Sequence, residues 1–344
     1  MSVLTSLTAR ASALRSSERA GVVVALIALC VYLSSASEFF LTRDNILNIG
    51  TSIAIVGIVA AGSTIVMLGG GIDISIGSTV ALAGIAAGKA LEAGWGAEGA
   101  VVAAIVAGSL AGLVNGLLVA GLGVNPLIAT LGTLSVFRGL AFILSDGIAV
   151  SAADPRFLAI GSGRIAGLPA PLVVMLVVFA AVAFVLKSTR VGRNIYAMGG
   201  NPDAARLAGI SLTRYRIGLY VASGALCGLS AVVLTARLGS AQPLAAAGLE
   251  LDAIAACVLG GVALAGGIGA MGGTVLGVLV LGVVNNGLNI LQVDSFYQYV
   301  ARGGVLLIAV ALDEWNLRRR TRALSGAQRR RELSVRQRGS EVPV

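Results

Sequence analysis

The chain has 344 residues, 57% of them hydrophobic and only 12% charged, with a mean hydropathy of +0.93. Soluble domains carry about 25% charged residues, so this composition describes an integral membrane protein with no soluble domain left over. The formal charge of +9 sits on arginines beside apolar runs, without an aromatic-rich basic surface, which argues against nucleic acid and fits positive-inside placement. The chain has no histidine, which removes His-based catalysis, the usual zinc sites and His proton relays together.

Residues 1–20 read as a basic cytoplasmic segment carrying Arg10, Arg15 and Arg19. Apolar runs then follow at 21–36, 46–68, 74–91, 99–122 and 126–144. A second set of five follows at 168–186, 217–238, 251–264, 271–291 and 296–312. The prediction is an all-α membrane domain over 21–312 with about ten transmembrane helices and both termini cytoplasmic. Charge supports the count. The N-terminal arginines, the basic residues of 187–216 and the Arg-rich tail of 313–344 all fall on one side, whereas Glu38, Asp44, Glu92, Glu98, Asp146, Asp154, Glu250, Asp252 and Asp294 fall on the other. Runs 74–91 and 251–264 are the weakest spans, since glycines border both. The tail reads as disordered or lying on anionic membrane lipid. Segment 21–33, followed by small residues at 34–37, also has the outline of a signal sequence, but its long basic lead and the charge pattern favour a retained first span.

Two glycine-dense stretches cannot be continuous helix: Gly69-Gly70-Gly71 through Ser78, and Gly260-Gly261 with Gly266-Gly267 through Gly272-Gly273. They occupy comparable places in the two halves. Downstream of each, Gly112-Leu113-Val114-Asn115 resembles Gly282-Val283-Val284-Asn285, which suggests a weak internal repeat. Matched interruptions in two halves point to a transport pathway, because irregular backbone at membrane depth needs protein or a water-filled cavity around it. Asp73, in the first interruption, has two open readings: a functional carboxylate, or a cap on the following helix assisted by Ser75. Arg138 and Arg302 fall within predicted spans, where an arginine snorkels, binds carbonyls or lines the pathway. Cys30, Cys227 and Cys257 lie singly in apolar sequence and read as small packing residues.

Segment 187–216 is a basic, polar insert between long apolar runs. Asn201 suits an N-cap, Pro202 the first helical position, Asp203 the positive helix end, and Gly209 a left-handed exit. The segment therefore predicts a two-turn helix about 10 Å long, too short to cross a bilayer. Two readings are open from these residues alone, a docking helix and an ordinary cytoplasmic loop. The chain has no G-x-x-x-x-G-K-[ST] phosphate loop, metal-ligand cluster or nucleophile with a base, so no catalytic or metal residue is assigned and any driving energy comes from elsewhere.

Taken in order, these residues resemble the permease subunits of bacterial ATP-binding cassette importers of the ribose/xylose/arabinose/galactose type, over roughly Asn45 to Asp313. The matching elements are Gly70-Gly71-Ile72-Asp73-Ile74-Ser75, Asn125-Pro126 with Arg138-Gly139, Gly192-Arg193 through Tyr196 to Gly200-Asn201, and Ala204-Ala205-Arg206 to Gly209. Ala236 to Pro243, Glu250 to Ala256, and Asn285-Asn286-Gly287-Leu288-Asn289 complete the set. The resemblance implies a fold similar to the vitamin B12 importer permeases, a second permease chain, a cytoplasmic ATPase subunit and an extracytoplasmic sugar-binding protein. It implies no cofactor on this chain, with ATP and Mg held by the partner ATPase. It assigns Gly192, Arg193, Tyr196, Gly200, Asn201, Pro202, Ala204, Ala205, Arg206 and Gly209 to an ATPase-coupling loop. Gly70, Gly71, Asp73, Ser75, Asn125, Pro126, Arg138, Asn285 and Asn286 become pathway or gate candidates. Val262-Ala263, Ile268 and Leu244 to Ala247 depart from the family pattern near the expected gate, which leaves room for an autoinducer, polyol or nucleoside instead of a pentose. An ion-coupled secondary carrier is the competing class.

Overall fold

The computed structural model describes residues 20–294 together with 296–298, 300, 303, 304, 307 and 311. Arg10, Arg15, Arg19, Arg302, most of the last predicted span and the basic tail lie outside the described residues. Twelve helices run in chain order through 20–290: α1 Ala20–Ala36, α2 Arg43–Leu68, α3 Ile76–Glu92, α4 Gly96–Gly116, α5 Pro126–Leu144, α6 Pro155–Ser162, α7 Ala170–Ser188, α8 Arg190–Gly200, α9 Pro202–Leu207, α10 Leu212–Leu238, α11 Leu249–Leu259 and α12 Met271–Ile290. A π-turn at Leu117–Gly121 extends α4.

Six described helices are long and apolar enough to span a membrane: α2, α4 with its extension, α5, α7, α10 and α12. The chain is thus a mostly helical, multi-pass membrane protein. Helices α1, α3 and α11 are shorter. The run expected at 251–264 forms only the 11-residue α11, about 16 Å of helix, because the next glycines end it early.

Helix α2 is the core: 83% of its most apolar stretch is buried, against 28% for α5. Helices α4 and α10 pack closely because small residues face each other. Gly108 and Gly112 lie on the backbone of Gly224 and Tyr220, where any side chain would collide with α10 carbonyls. Two short pairings brace the loops beyond α5: Val150–Ser151 with Ser240–Ala241, and Arg164–Ile165 with Leu168–Pro169. These strands and α6 were not predicted from sequence, since segments of two to eight residues carry no periodicity of their own.

Candidate coupling and pathway site

Helix α2 ends through three backbone bonds, from the amides of Gly69, Gly70 and Gly71 to the carbonyls of Ile65, Met67 and Val66. Helix α11 ends in the same pattern: the amides of Gly260, Gly261 and Val262 reach Ala256, Val258 and Cys257. Gly70 and Gly261 share a φ of +79°, a left-handed position that glycine enters without a Cβ clash. The two interruptions are therefore built alike at their starts. They also touch, because the Gly267 amide donates to the Leu68 carbonyl at 2.9 Å.

The end of α8 seats on that junction. A Cβ at Gly199 would collide with the Leu68 carbonyl and come within 2.6 Å of the Gly267 nitrogen. A Cβ at Gly266 would lie 2.8 Å from Gly70 Cα and 3.1 Å from the Gly199 carbonyl. One turn earlier on α8, the Tyr196 hydroxyl donates to the Gly269 carbonyl at 3.1 Å. Backbone from three separate chain segments meets here with no side chain between.

Immediately beyond, Asn201 accepts from the Ala204 amide at 2.9 Å and starts α9, with Pro202 at its first position and Asp203 in its first turn. The Ile210 amide returns to the Ala205 carbonyl, and Gly209 takes φ +81°. These bonds give the short helix both of its ends. Ala205 faces inward, whereas Pro202, Asp203, Ala204, Arg206 and Leu207 are exposed, Leu207 at 90%. Gly192 and Ile195 are buried and Arg193 is exposed. Segment 187–216 thus holds two helices, not one, since α8 precedes the predicted short helix.

In the first interruption Asp73 is buried, and one carboxylate oxygen accepts from the Ser75 amide at 2.9 Å and the Ser75 hydroxyl at 2.6 Å. Asn115 of α4 donates to the Ser75 hydroxyl oxygen at 2.7 Å and leans toward both Asp73 oxygens at 3.4 and 3.5 Å. Thr133 of α5 donates to the Asn115 side-chain oxygen at 2.6 Å. The Tyr220 hydroxyl donates to the Ile72 carbonyl at 2.9 Å. This buried chain of bonds joins the turn before α3 to α4, α5 and α10. A buried carboxylate is tolerable only with such partners.

Arg138 of α5 donates to the carbonyls of Pro243 and Ala245 at 2.7 and 2.9 Å, holding the turn between α10 and α11. Glu250 accepts from the Gly248 amide at 3.2 Å, and its other oxygen is buried without a hydrogen-bond partner. Asn125 accepts from the Leu127 amide at 3.0 Å and, with Pro126, starts α5. Asn286 and Asn45 exchange two amide bonds, at 2.8 and 3.1 Å, near the start of α2 and so about 35 Å of helix from the glycine junction. Asn285 is half-buried on α12. Its repeat counterpart Asn115 is fully buried, so the two halves differ at this position.

The candidates therefore separate by place. Gly70, Gly71, Tyr196 and Gly200 gather at the junction, Asp73 and Ser75 stand beside it, and Arg138, Asn125, Pro126, Asn285 and Asn286 do not join them. The sequence reading did not select Gly199, Asn115, Thr133 or Leu207. A polar Asn or Thr inside an apolar run was the available signal for two of them. Nothing local marks Gly199 among 47 glycines.

The family described as branched-chain amino acid transport system / permease component matches residues 45–310. Similar proteins include the ribose import permease protein RbsC of Bacillus subtilis, 43% identical over 303 residues, or 86% of this chain and 92% of that one. The L-arabinose ABC transporter permease protein AraH of Azospirillum brasilense is 38% identical over 302 residues, covering 88% and 89%. The D-allose transport system permease protein AlsC of Escherichia coli is 38% identical over 288 residues, covering 83% and 88%. No solved structure matches the chain.

Proposed function

Because the chain belongs to the permease-component family of branched-chain amino acid transport systems, and its relatives carry ribose, L-arabinose and D-allose in their names, we propose that it is the membrane-spanning permease of an ATP-binding cassette importer for a monosaccharide. It works in the bacterial inner membrane with a cytoplasmic ATPase subunit, an extracytoplasmic sugar-binding protein and a second permease chain. Both termini are cytoplasmic, and about ten helices cross the membrane in an arrangement similar to the vitamin B12 importer permeases. The chain itself does no ATP chemistry; ATP and Mg belong to the partner ATPase.

The observation that carries the mechanism is the seating of α8 on both glycine interruptions, with the exposed helix α9 directly beyond it. Helix α9 fits a groove on the ATPase, with Leu207 as its apolar anchor and Arg206 beside it. Closure of the ATPase moves α9, and α8 carries that movement to the backbone of Gly70, Gly266 and Gly267. These glycines end or precede the spans α2 and α12, so a small displacement redirects whole helices. Arg138 holds the turn at Pro243 and Ala245 as a fixed wall of the pathway.

The test is reconstitution in proteoliposomes. The chain alone should hydrolyse no ATP and take up no sugar under a sodium or proton gradient. With its ATPase and binding protein it should import ribose, arabinose or allose only when ATP is present. Gradient-driven uptake by the chain alone would replace this reading with a secondary carrier.

A further inference from the structure

A cavity of about 680 Å3 lies between α4, α7, α8 and α10, with Ile65 of α2 at its floor. Its walls include Ile105, Val182 and Ile195, and Gly218 and Ala222 run along the α10 side. Nothing comes within 4 Å of where a side chain at Gly218 would begin, so the space over α10 is open. Arg214, one turn before Gly218, closes the line and is exposed, with no acidic partner among the described residues. Helix α5 and the turn held by Arg138 contribute nothing to the cavity, which separates it from the proposed pathway.

The size suits a small molecule, since such sites run about 300–1,000 Å3. The lining decides which kind. It is almost entirely carbon, and a sugar placed there would lose hydrogen bonds that these walls cannot replace. Two of its walls, α4 and α7, are spans with only 33% of their most apolar stretches buried within the chain, which leaves apolar surface beside the cavity for hydrocarbon to cover. An apolar channel ending at an unpaired guanidinium matches an amphiphile with a negative head.

We propose that this groove is a binding site for one anionic phospholipid, with an acyl chain lying over Gly218 and Ala222 and the phosphate on Arg214. The site depends only on the chain being a multi-pass membrane protein and stands apart from the substrate reading. Its charge selects an anionic lipid over a zwitterionic one, because one basic residue at an anionic surface contributes roughly fivefold in affinity.

Native mass spectrometry of the detergent-purified full chain, titrated with phosphatidylglycerol or phosphatidylcholine, tests this. The unchanged protein should retain one phosphatidylglycerol more tightly than any phosphatidylcholine. Arg214→Gln should abolish that preference, a loss of about fivefold, with little change in phosphatidylcholine binding, and Arg214→Lys should largely keep it. Gly218→Leu, which puts a side chain into the open space, should weaken the first lipid of either kind by about tenfold or more, the weight of two buried methylenes. Equal retention of the two lipids by the unchanged protein, or an Arg214→Gln chain that still prefers phosphatidylglycerol, overturns the proposal. If Gly218→Leu fails to fold, Arg214→Gln alone decides, since that side chain is exposed.

Discussion

The amide of Gly267 donates a hydrogen bond to the carbonyl of Leu68 at 2.9 Å, joining directly two glycine-rich interruptions that lie almost 200 residues apart in the chain. Gly199 sits on the same carbonyl, so the end of α8 and both interruptions share one backbone junction. If α9 takes up force from an ATPase, this junction is the first part of the membrane domain to receive it.

Gly199→Ala tests the junction. The new methyl group meets backbone, which cannot rotate aside, so the segments must separate at a cost of about 1–3 kcal/mol. Uptake in reconstituted liposomes should fall more than tenfold while membrane insertion and ATPase binding persist. Gly200→Ala is the control, since nothing lies within 4 Å of that position, and its uptake should be near normal.

Leu207→Ala should weaken recovery of the ATPase subunit by tenfold or more, as expected for a central apolar anchor worth about 2 kcal/mol. The melting temperature of the permease alone should not move, because Leu207 is 90% exposed and supports nothing within this chain. Replacing Asn201 and Arg206 together should leave insertion intact and separate ATP hydrolysis from uptake. Normal uptake in that double variant would remove α9 from the mechanism.

Asp73→Asn separates acceptor from charge. Asn keeps an oxygen for the Ser75 amide and hydroxyl, so transport should stay within a few-fold of the unchanged protein. Asp73→Ala leaves the buried amide and hydroxyl donors of Ser75 unmet, at about 1–3 kcal/mol each, and should lower both the melting temperature and uptake. Loss of transport in Asp73→Asn at unchanged melting temperature would mean that the negative charge itself is required.

Arg138→Met removes a charged donor from the Pro243 and Ala245 carbonyls, each bond contributing about 1.5–3 kcal/mol. Hydrogen exchange should rise across 243–248 and remain unchanged across 190–207. One terminal guanidinium nitrogen donates to both carbonyls; lysine keeps a charged donor nitrogen but on a shorter, more flexible stem, so Arg138→Lys should fall between. Equal exchange in all three proteins would show that the turn holds itself.

Much of this protein is legible in its sequence. The apolar runs identified a multi-pass helical membrane protein because hydrocarbon solvent allows few alternatives. The ends of α9 were also legible, since capping by Asn201 and the left-handed exit at Gly209 are local chemistry within a few bonds. The glycine clusters marked where helices must stop for the same local reason. The number of long spans was less legible: α11 is cut short by glycines whose exact stopping point no hydropathy run fixes.

The tertiary structure alone decided what those stops do. That Leu68 meets Gly267, that Gly199 lies against both, and that Asn115 and Thr133 complete the bonding of Asp73 and Ser75 depend on contacts between distant segments. Composition and periodicity specify which face of a helix is apolar, but close backbone approach requires two particular small residues to arrive at one point. Only the packing of α2, α8 and the segment after α11 brings them there.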